Sequence, residues 1–400
     1  MRIGALLVAL GGIMVLSAQI ERRTIFIHGT TVPGLWLLNQ PDKQQKEPLG
    51  DKFVSLVEKS RNDERFYDSS IMLECGMVPI GHPLINQCRT CKLDAYQSRK
   101  AAVQAVTAYD DLTNHLENNL YYLYGWSGLL SDECRKKEAE KLYQEIIKLD
   151  KKTFEKTGVH PFFDIISHSH GGNIVLYLAQ QEEIHKQGLS IDHALLYEPP
   201  VQVETAHYCT SPLFKNLVLL YSEGDFIQTA DFISTTGKSC RTFSELISLD
   251  DAPNHIYEIL LKLNGNAQAL KHNTYFYFDA YHGLTGLHST IFNKNDAIDF
   301  LNPLPLVIFS PVIIKMLEPV PARKNAALVL PGIRNELDIC VADNSCVFNL
   351  NMVNQRQRFS QNLFPAITKI KERIATTWAP HAKTSNVKKL FWLGEHLITR

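Results

Sequence analysis

The chain has 400 residues, 45% of them hydrophobic and 21% charged, with a formal net charge of −1. That balance belongs to a globular protein with enough length for a large core, and it excludes an intrinsically disordered chain. A near-neutral charge also gives no overall field to gather nucleic acid, and no nucleic-acid partner is expected.

The first segment is Arg2 followed by an apolar run to Leu16, then Ser17, Ala18 and Gln19. One positive charge, a short apolar core and a small residue read as a signal peptide over 1–18, cleaved after Ala18. This predicts an exported protein. Retention as an N-terminal membrane anchor, or burial as a core segment, are the alternatives, although the run is short for a span of about 20 residues. Eight cysteines, an even count, make disulfides an expectation in an exported chain. Cys340 and Cys346 are close enough in sequence to clip a turn, and Cys88 and Cys91 read as a loop pair or unrelated thiols. No second pair completes a zinc site, so no metal is expected.

Thr24-Ile25-Phe26-Ile27 is the first strand signal, ending at His28-Gly29. Residues 40–93 read as an irregular insertion, a lid or pocket wall, and 94–116 as a helix. A second strand covers 121–124 and leads into Trp126-Ser127-Gly128, a pocket border or a helix entry. Residues 133–148 form a charged amphipathic helix. A third strand at 162–166 is followed by a helix over 170–186. Further strands are expected at 194–197, 217–221 and 275–278. After about residue 301, prolines punctuate short apolar runs, with one helical stretch over 364–378. Residues 19–300 are read as one domain and 301–400 as a C-terminal extension. Strands alternating with helices predict an α/β fold, a doubly wound and mostly parallel sheet.

The chemistry concentrates where the third strand meets its helix, at Ile166-Ser167-His168-Ser169-His170-Gly171-Gly172-Asn173. A serine on a tight strand-to-helix turn, with small residues two before and two after it, forms a nucleophile elbow. Ser169 fits, with Gly171 after it and Ser167 in place of the usual earlier glycine. Ser167 itself is the poorer nucleophile, because Ile165 would be its earlier flank. A plain helix cap is the competing reading of Ser169. An activated serine needs a base and a cradle for the anion it creates. The backbone N–H of His170 at the helix start and that of Thr30, after the first strand, are the candidate oxyanion donors. Asp225, just past the strand at 217–221, is the candidate acid, with Glu223 and Asp231 as rivals. His288 is the preferred base and His282 the alternative.

Four segments carry a family resemblance: Ile25-Phe-Ile-His28-Gly29-Thr30, Tyr124-Gly-Trp126-Ser127-Gly128, Ile166 to Asn173, and Tyr221-Ser-Glu-Gly-Asp225-Phe-Ile-Gln228. The chain resembles α/β hydrolases of the lipase and esterase type, notably the group with an uncharacterised serine-esterase domain. The resemblance spans about residues 22–290. It implies a Ser-His-Asp triad and ester substrates, lipid esters among them, at a membrane surface if so, with no cofactor. It carries Ser169 and Asp225 directly and His288 less securely. A peptidase or amidase on the same fold, and a non-catalytic binding protein of the envelope, remain alternatives.

Overall fold

The computed structural model describes residues 21–27, 29, 76–81, 110, 112, 119–126, 132–225, 228, 235, 237, 239–249, 255–268, 309–318, 334–342, 345–352, 355–358, 363–369 and 372. Among the described residues ten strands form one sheet: β1 (Arg22–Ile27), β2 (Gly76–Gly81), β3 (Asn119–Gly125), β4 (Phe162–His168), β5 (Ile191–Tyr197), β6 (Phe214–Tyr221), β7 (His255–Leu263), β8 (Asn335–Ala342), β9 (Ser345–Met352) and β10 (Gln355–Arg358). Their order across the sheet is β10-β9-β8-β7-β6-β5-β4-β1-β3-β2. The block from β3 through β1, β4, β5, β6 and β7 to β8 is parallel. β2 is antiparallel at one edge, and β9 and β10 continue antiparallel at the other. The fold is therefore α/β, with a doubly wound, mostly parallel sheet.

Period-two alternation sorts the strand residues into two cores. Ile25, Ile27, Ile165, Ala194 and Leu196 join one, and Phe26, Ile166, Leu195 and Val218 join the other. The first core is closed by α1 (Asp132–Thr157) and α2 (Gly171–His185), the second by α3 (Ser310–Leu317). In α1 the buried residues Ala139, Leu142, Tyr143, Ile146 and Ile147 repeat at three- and four-residue steps, one apolar stripe on a charged helix. Asp132 and Glu133 sit at its positive end, and Gly158 at φ +74° stops it.

Three sequence expectations need correction. The stretch read as irregular contains β2, whose exposed Pro79 sits beside a register shift against β3, at home on an edge strand. The strand next to β6 is β7, which the sequence reading passed over. Glu258 and Lys262 interrupt its apolar run, and each has a partner: the Ser244 hydroxyl donates to Glu258 at 2.6 Å, and Lys262 pairs with Glu336 at 2.7 Å. Cys340 and Cys346 do not clip a turn. They lie on paired strands, but Cys340 is in register with Val347, the neighbour of Cys346, so the two thiols face opposite sides. Among the described residues no disulfide joins any two of Cys134, Cys209, Cys240, Cys340 and Cys346. The expected strand at 275–278 and the apolar run at 1–18 lie outside the described residues. Among the described residues no helix is long and apolar enough to cross a membrane.

The topology fixes where a ligand goes. From β1 the chain winds outward to β3, then returns across β1 to lay down β4 on its other side. The sheet thus reverses its winding between β1 and β4. In open α/β sheets the crevice outside the carboxyl ends of the strands at such a reversal is where ligands bind.

Candidate active site

Ser169 stands at that reversal, between the end of β4 and the start of α2. Its φ is +51°, in the left-handed region that non-glycine residues avoid at a cost of roughly 1–3 kcal/mol. Two backbone bonds hold it there: its N–H donates to the Tyr197 carbonyl at 2.8 Å, and its own carbonyl accepts from the Gly172 N–H at 2.9 Å. One bond continues the sheet ladder and the other opens the helix. A plain cap does not require that strain.

The small residues around the turn have distinct jobs. Ser167 is buried in β4, and its hydroxyl donates to the Leu195 carbonyl at 3.5 Å within the sheet. Gly171 is the first residue of α2 and is buried. Gly172 lets α2 lean on the turn after β5: a Cβ there would stand 2.8 Å from the Pro199 Cβ. His170 precedes the helix at the N-cap and is 4% exposed, so its amide lies at the helix's positive end.

Gly29 shows how close the loop after β1 comes. A Cβ on Gly29 would stand 2.7 Å from the Ser169 Cβ and 3.2 Å from the His168 carbonyl. The chain leaving β1 therefore passes directly against Ser169 at Gly29. Thr30, and likewise His282, His288, Asp231 and Ser127, lie outside the described residues.

Asp225 follows β6 by four residues and is fully buried. Its Oδ1 accepts from the Gln228 N–H at 3.3 Å, and its backbone carbonyl accepts from the Arg241 guanidinium at 2.9 Å. Glu223, its rival in sequence, is turned outward and pairs with Arg334 at 2.6 Å. The buried carboxylate of this loop is thus Asp225.

The sequence reading missed Glu198, the residue after β5. It is fully buried, at φ +48°, and its N–H donates to the Leu220 carbonyl at 2.7 Å. Neither carboxyl oxygen has a hydrogen-bond partner among the described residues. Burial first, and the Asp225 charge second, push its carboxyl well above the usual glutamate range. The one available sequence signal was an acid ending the strand beside the elbow strand, ahead of Pro199-Pro200. Gln228 ties the two acid turns together, its amide donating to the Pro199 carbonyl at 2.9 Å while its backbone serves Asp225. Asn173, from α2, donates to the Pro200 carbonyl at 3.1 Å. Among the described residues no group of three or more His, Cys, Asp or Glu is gathered to hold a metal.

No protein-family model matches the chain. No curated protein matches it either. Among solved structures, the carboxyl esterase 2 of the mycorrhizal fungus Tuber melanosporum aligns at 11% identity and a TM-score of 0.25, over 42% of this chain and 54% of that one. The Pyrobaculum calidifontis esterase aligns at 12% identity and a TM-score of 0.24, over 61% of this chain and 59% of that one. A second structure of an esterase from that archaeon gives 10% and 0.26, over 64% and 93%. The first two matches span little more than half of those esterases, and overlaps this loose carry no argument about this chain. Its architecture rests on its own sheet, and its chemistry on its own strand ends.

Proposed function

We propose that this chain is a serine hydrolase that cleaves carboxylic esters through an acyl-enzyme on Ser169. The observation that carries the reading is the left-handed Ser169 at the winding reversal, with the Gly29 loop against it. Ser169 attacks the ester carbonyl carbon while its proton passes to the base, His288 in the first instance and His282 as the alternative. Asp225 orients that imidazole and balances its charge. The carbonyl oxygen becomes an anion, met by the His170 N–H and by the Thr30 N–H. The tetrahedral intermediate collapses, the alcohol leaves with the proton, and water repeats the cycle on the acyl group. The chain needs no cofactor for these steps. The substrate class extends to lipid esters, and the apolar N-terminus fits an exported enzyme.

A fluorophosphonate probe on the full chain tests this. It should attach to Ser169, as read by peptide mass spectrometry, and Ser169→Ala should abolish both attachment and turnover of a p-nitrophenyl ester. Attachment that persists in Ser169→Ala, or none in the unaltered chain, overturns the reading. Faster turnover of the matched anilide than of the ester would make the enzyme an amidase.

A further inference from the structure

The turn after β5, Glu198-Pro199-Pro200, lies between the turn after β4 that holds Ser169 and the loop after β6 that holds Asp225. Both prolines are buried, and neither has an N–H to offer a neighbour. Their carbonyls make the connections instead. The Asn173 side-chain amide, in the first turn of α2, donates to the Pro200 carbonyl at 3.1 Å. The Gln228 side-chain amide, beyond Asp225, donates to the Pro199 carbonyl at 2.9 Å. The backbone N–H of Gln228 donates to Asp225 Oδ1 at 3.3 Å. A continuous path of hydrogen bonds thus runs from the nucleophile's helix, through two consecutive carbonyls, to the acid's carboxylate.

Packing alone does not account for these amides. Asn173 and Gln228 are both fully buried. Asn173 uses both ends of its amide, because the Thr205 hydroxyl donates to its Oδ1 at 2.6 Å. Gln228 Oε1 is buried with no hydrogen-bond partner among the described residues. An unmatched buried acceptor costs stability, and a methionine of similar length would avoid that cost. A methionine could not donate to Pro199. The turn needs such a hold: Glu198 stands at φ +48° ahead of a proline, a strained backbone that persists only where its surroundings over-determine it. Ser169, at φ +51°, is anchored through its N–H to the carbonyl of Tyr197, the residue before Glu198.

We propose that Asn173 and Gln228 are positioning residues: their amides clamp the Pro199-Pro200 turn from its two sides and so set the spacing between Ser169 and the Asp225 carboxylate. This rests on the hydrolase reading above. The two links act in series. Release of either amide lets the strained turn relax, and the span from nucleophile to acid is lost as a whole. Both side chains are hidden from any substrate, so the clamp governs turnover and leaves binding alone.

The experiment is a double-mutant cycle in the full chain with Gln228→Met and Asn173→Leu, read by kcat and KM for a p-nitrophenyl ester and by amide hydrogen exchange. Each single change should lower kcat about 30-fold with KM within about 2-fold, inside the range that a misplacement on the order of 1 Å costs. Links in series make the double variant no slower than the slower single one, whereas independent losses would multiply to about 1,000-fold. Exchange should quicken across the clamp, at Ser169 to Asn173 in Gln228→Met and at Asp225 in Asn173→Leu, with α1 unchanged. If Asn173→Leu does not fold, Thr205→Val, which removes the donor to Asn173 Oδ1, takes its place in the cycle. Losses that multiply, a raised KM with kcat intact, or exchange that quickens only beside the altered residue overturns the clamp. The fluorophosphonate probe separates the two readings: labelling of Ser169 with a failed cycle removes the clamp alone. No labelling in the unaltered chain removes the hydrolase and this inference with it.

Discussion

Asp164 and Glu198 sit on neighbouring strands at opposite ends of the same sheet, and the fold treats them in opposite ways. Asp164, on β4, is 2% exposed and fully paired: Arg22 donates to one carboxyl oxygen at 2.6 Å, and the His193 ring meets the other at 2.9 Å. Burial alone would raise its pKa, but the His193 bond and the Arg22 charge outweigh burial and hold the carboxyl below its ordinary value. Glu198, beyond β5, is equally hidden and has no described hydrogen-bond partner. The amino ends of the strands are thus built for cohesion. The carboxyl ends keep an unsatisfied acid and a strained serine, both of which the rest of the sheet must over-determine.

This contrast can be broken from either end. The largest expected effect is at the amino end. Asp164→Asn leaves Arg22 without its buried counter-charge and should cost about 3 kcal/mol of stability at pH 7. Because the folded pKa lies below the unfolded one, Asp164's contribution is complete above the unfolded value of about 3.9 and disappears as pH falls through the folded value. Urea unfolding should therefore show the gap between Asp164→Asn and the parent chain closing in acid. A gap that stays constant would deny the ion pair its role.

At the carboxyl end, Gly29→Ala places a methyl group on the Ser169 Cβ. It should lower ester turnover about 100-fold, the scale of one lost oxyanion donor, and cost about 1–3 kcal/mol of stability at pH 7 through overpacking against Ser169. Steady-state kinetics and urea midpoints check both. Unchanged turnover would show that the loop does not set the distance to the nucleophile.

The third effect sharpens the comparison by its sign. Glu198 has a folded pKa above its unfolded value, so its contribution is intact below about 4.3 and erodes as pH rises toward the folded value. The difference between Glu198→Gln and the parent should grow in the variant's favour by about 1.4 kcal/mol per pH unit through that window. Asp164→Asn should show the reverse trend, in acid. A flat difference for Glu198→Gln would mean that the glutamate ionises freely in the folded chain.

Much of this was legible in the sequence, for local reasons. The stripe in α1 repeats at helical spacing, and the run from Phe162 to Asn173 joins a buried strand to small residues around a serine. Both are patterns that neighbouring residues write by themselves. Glu198 was not legible, because its importance comes from two strands it does not belong to. Before Pro199 it reads as a polar strand terminator, and proline normally pushes its predecessor toward extended backbone rather than φ +48°. β7 escaped for a similar reason: Glu258 and Lys262 look like solvent-facing breaks until Ser244 and Glu336 are seen beside them. Cys340 and Cys346 misled in the other direction, since closeness along the chain says nothing about which side of a ribbon each occupies.

The contact between Gly172 and Pro199 has a consequence for how this chain can change over time. The bend that presents the glutamate is also the shelf on which the serine's helix rests, with no room for even a methyl group between them. Neither position can drift alone. A bulkier residue at 172 would tilt the helix, and loss of the proline would let the shelf sag, so the alterations open to this lineage are coordinated pairs.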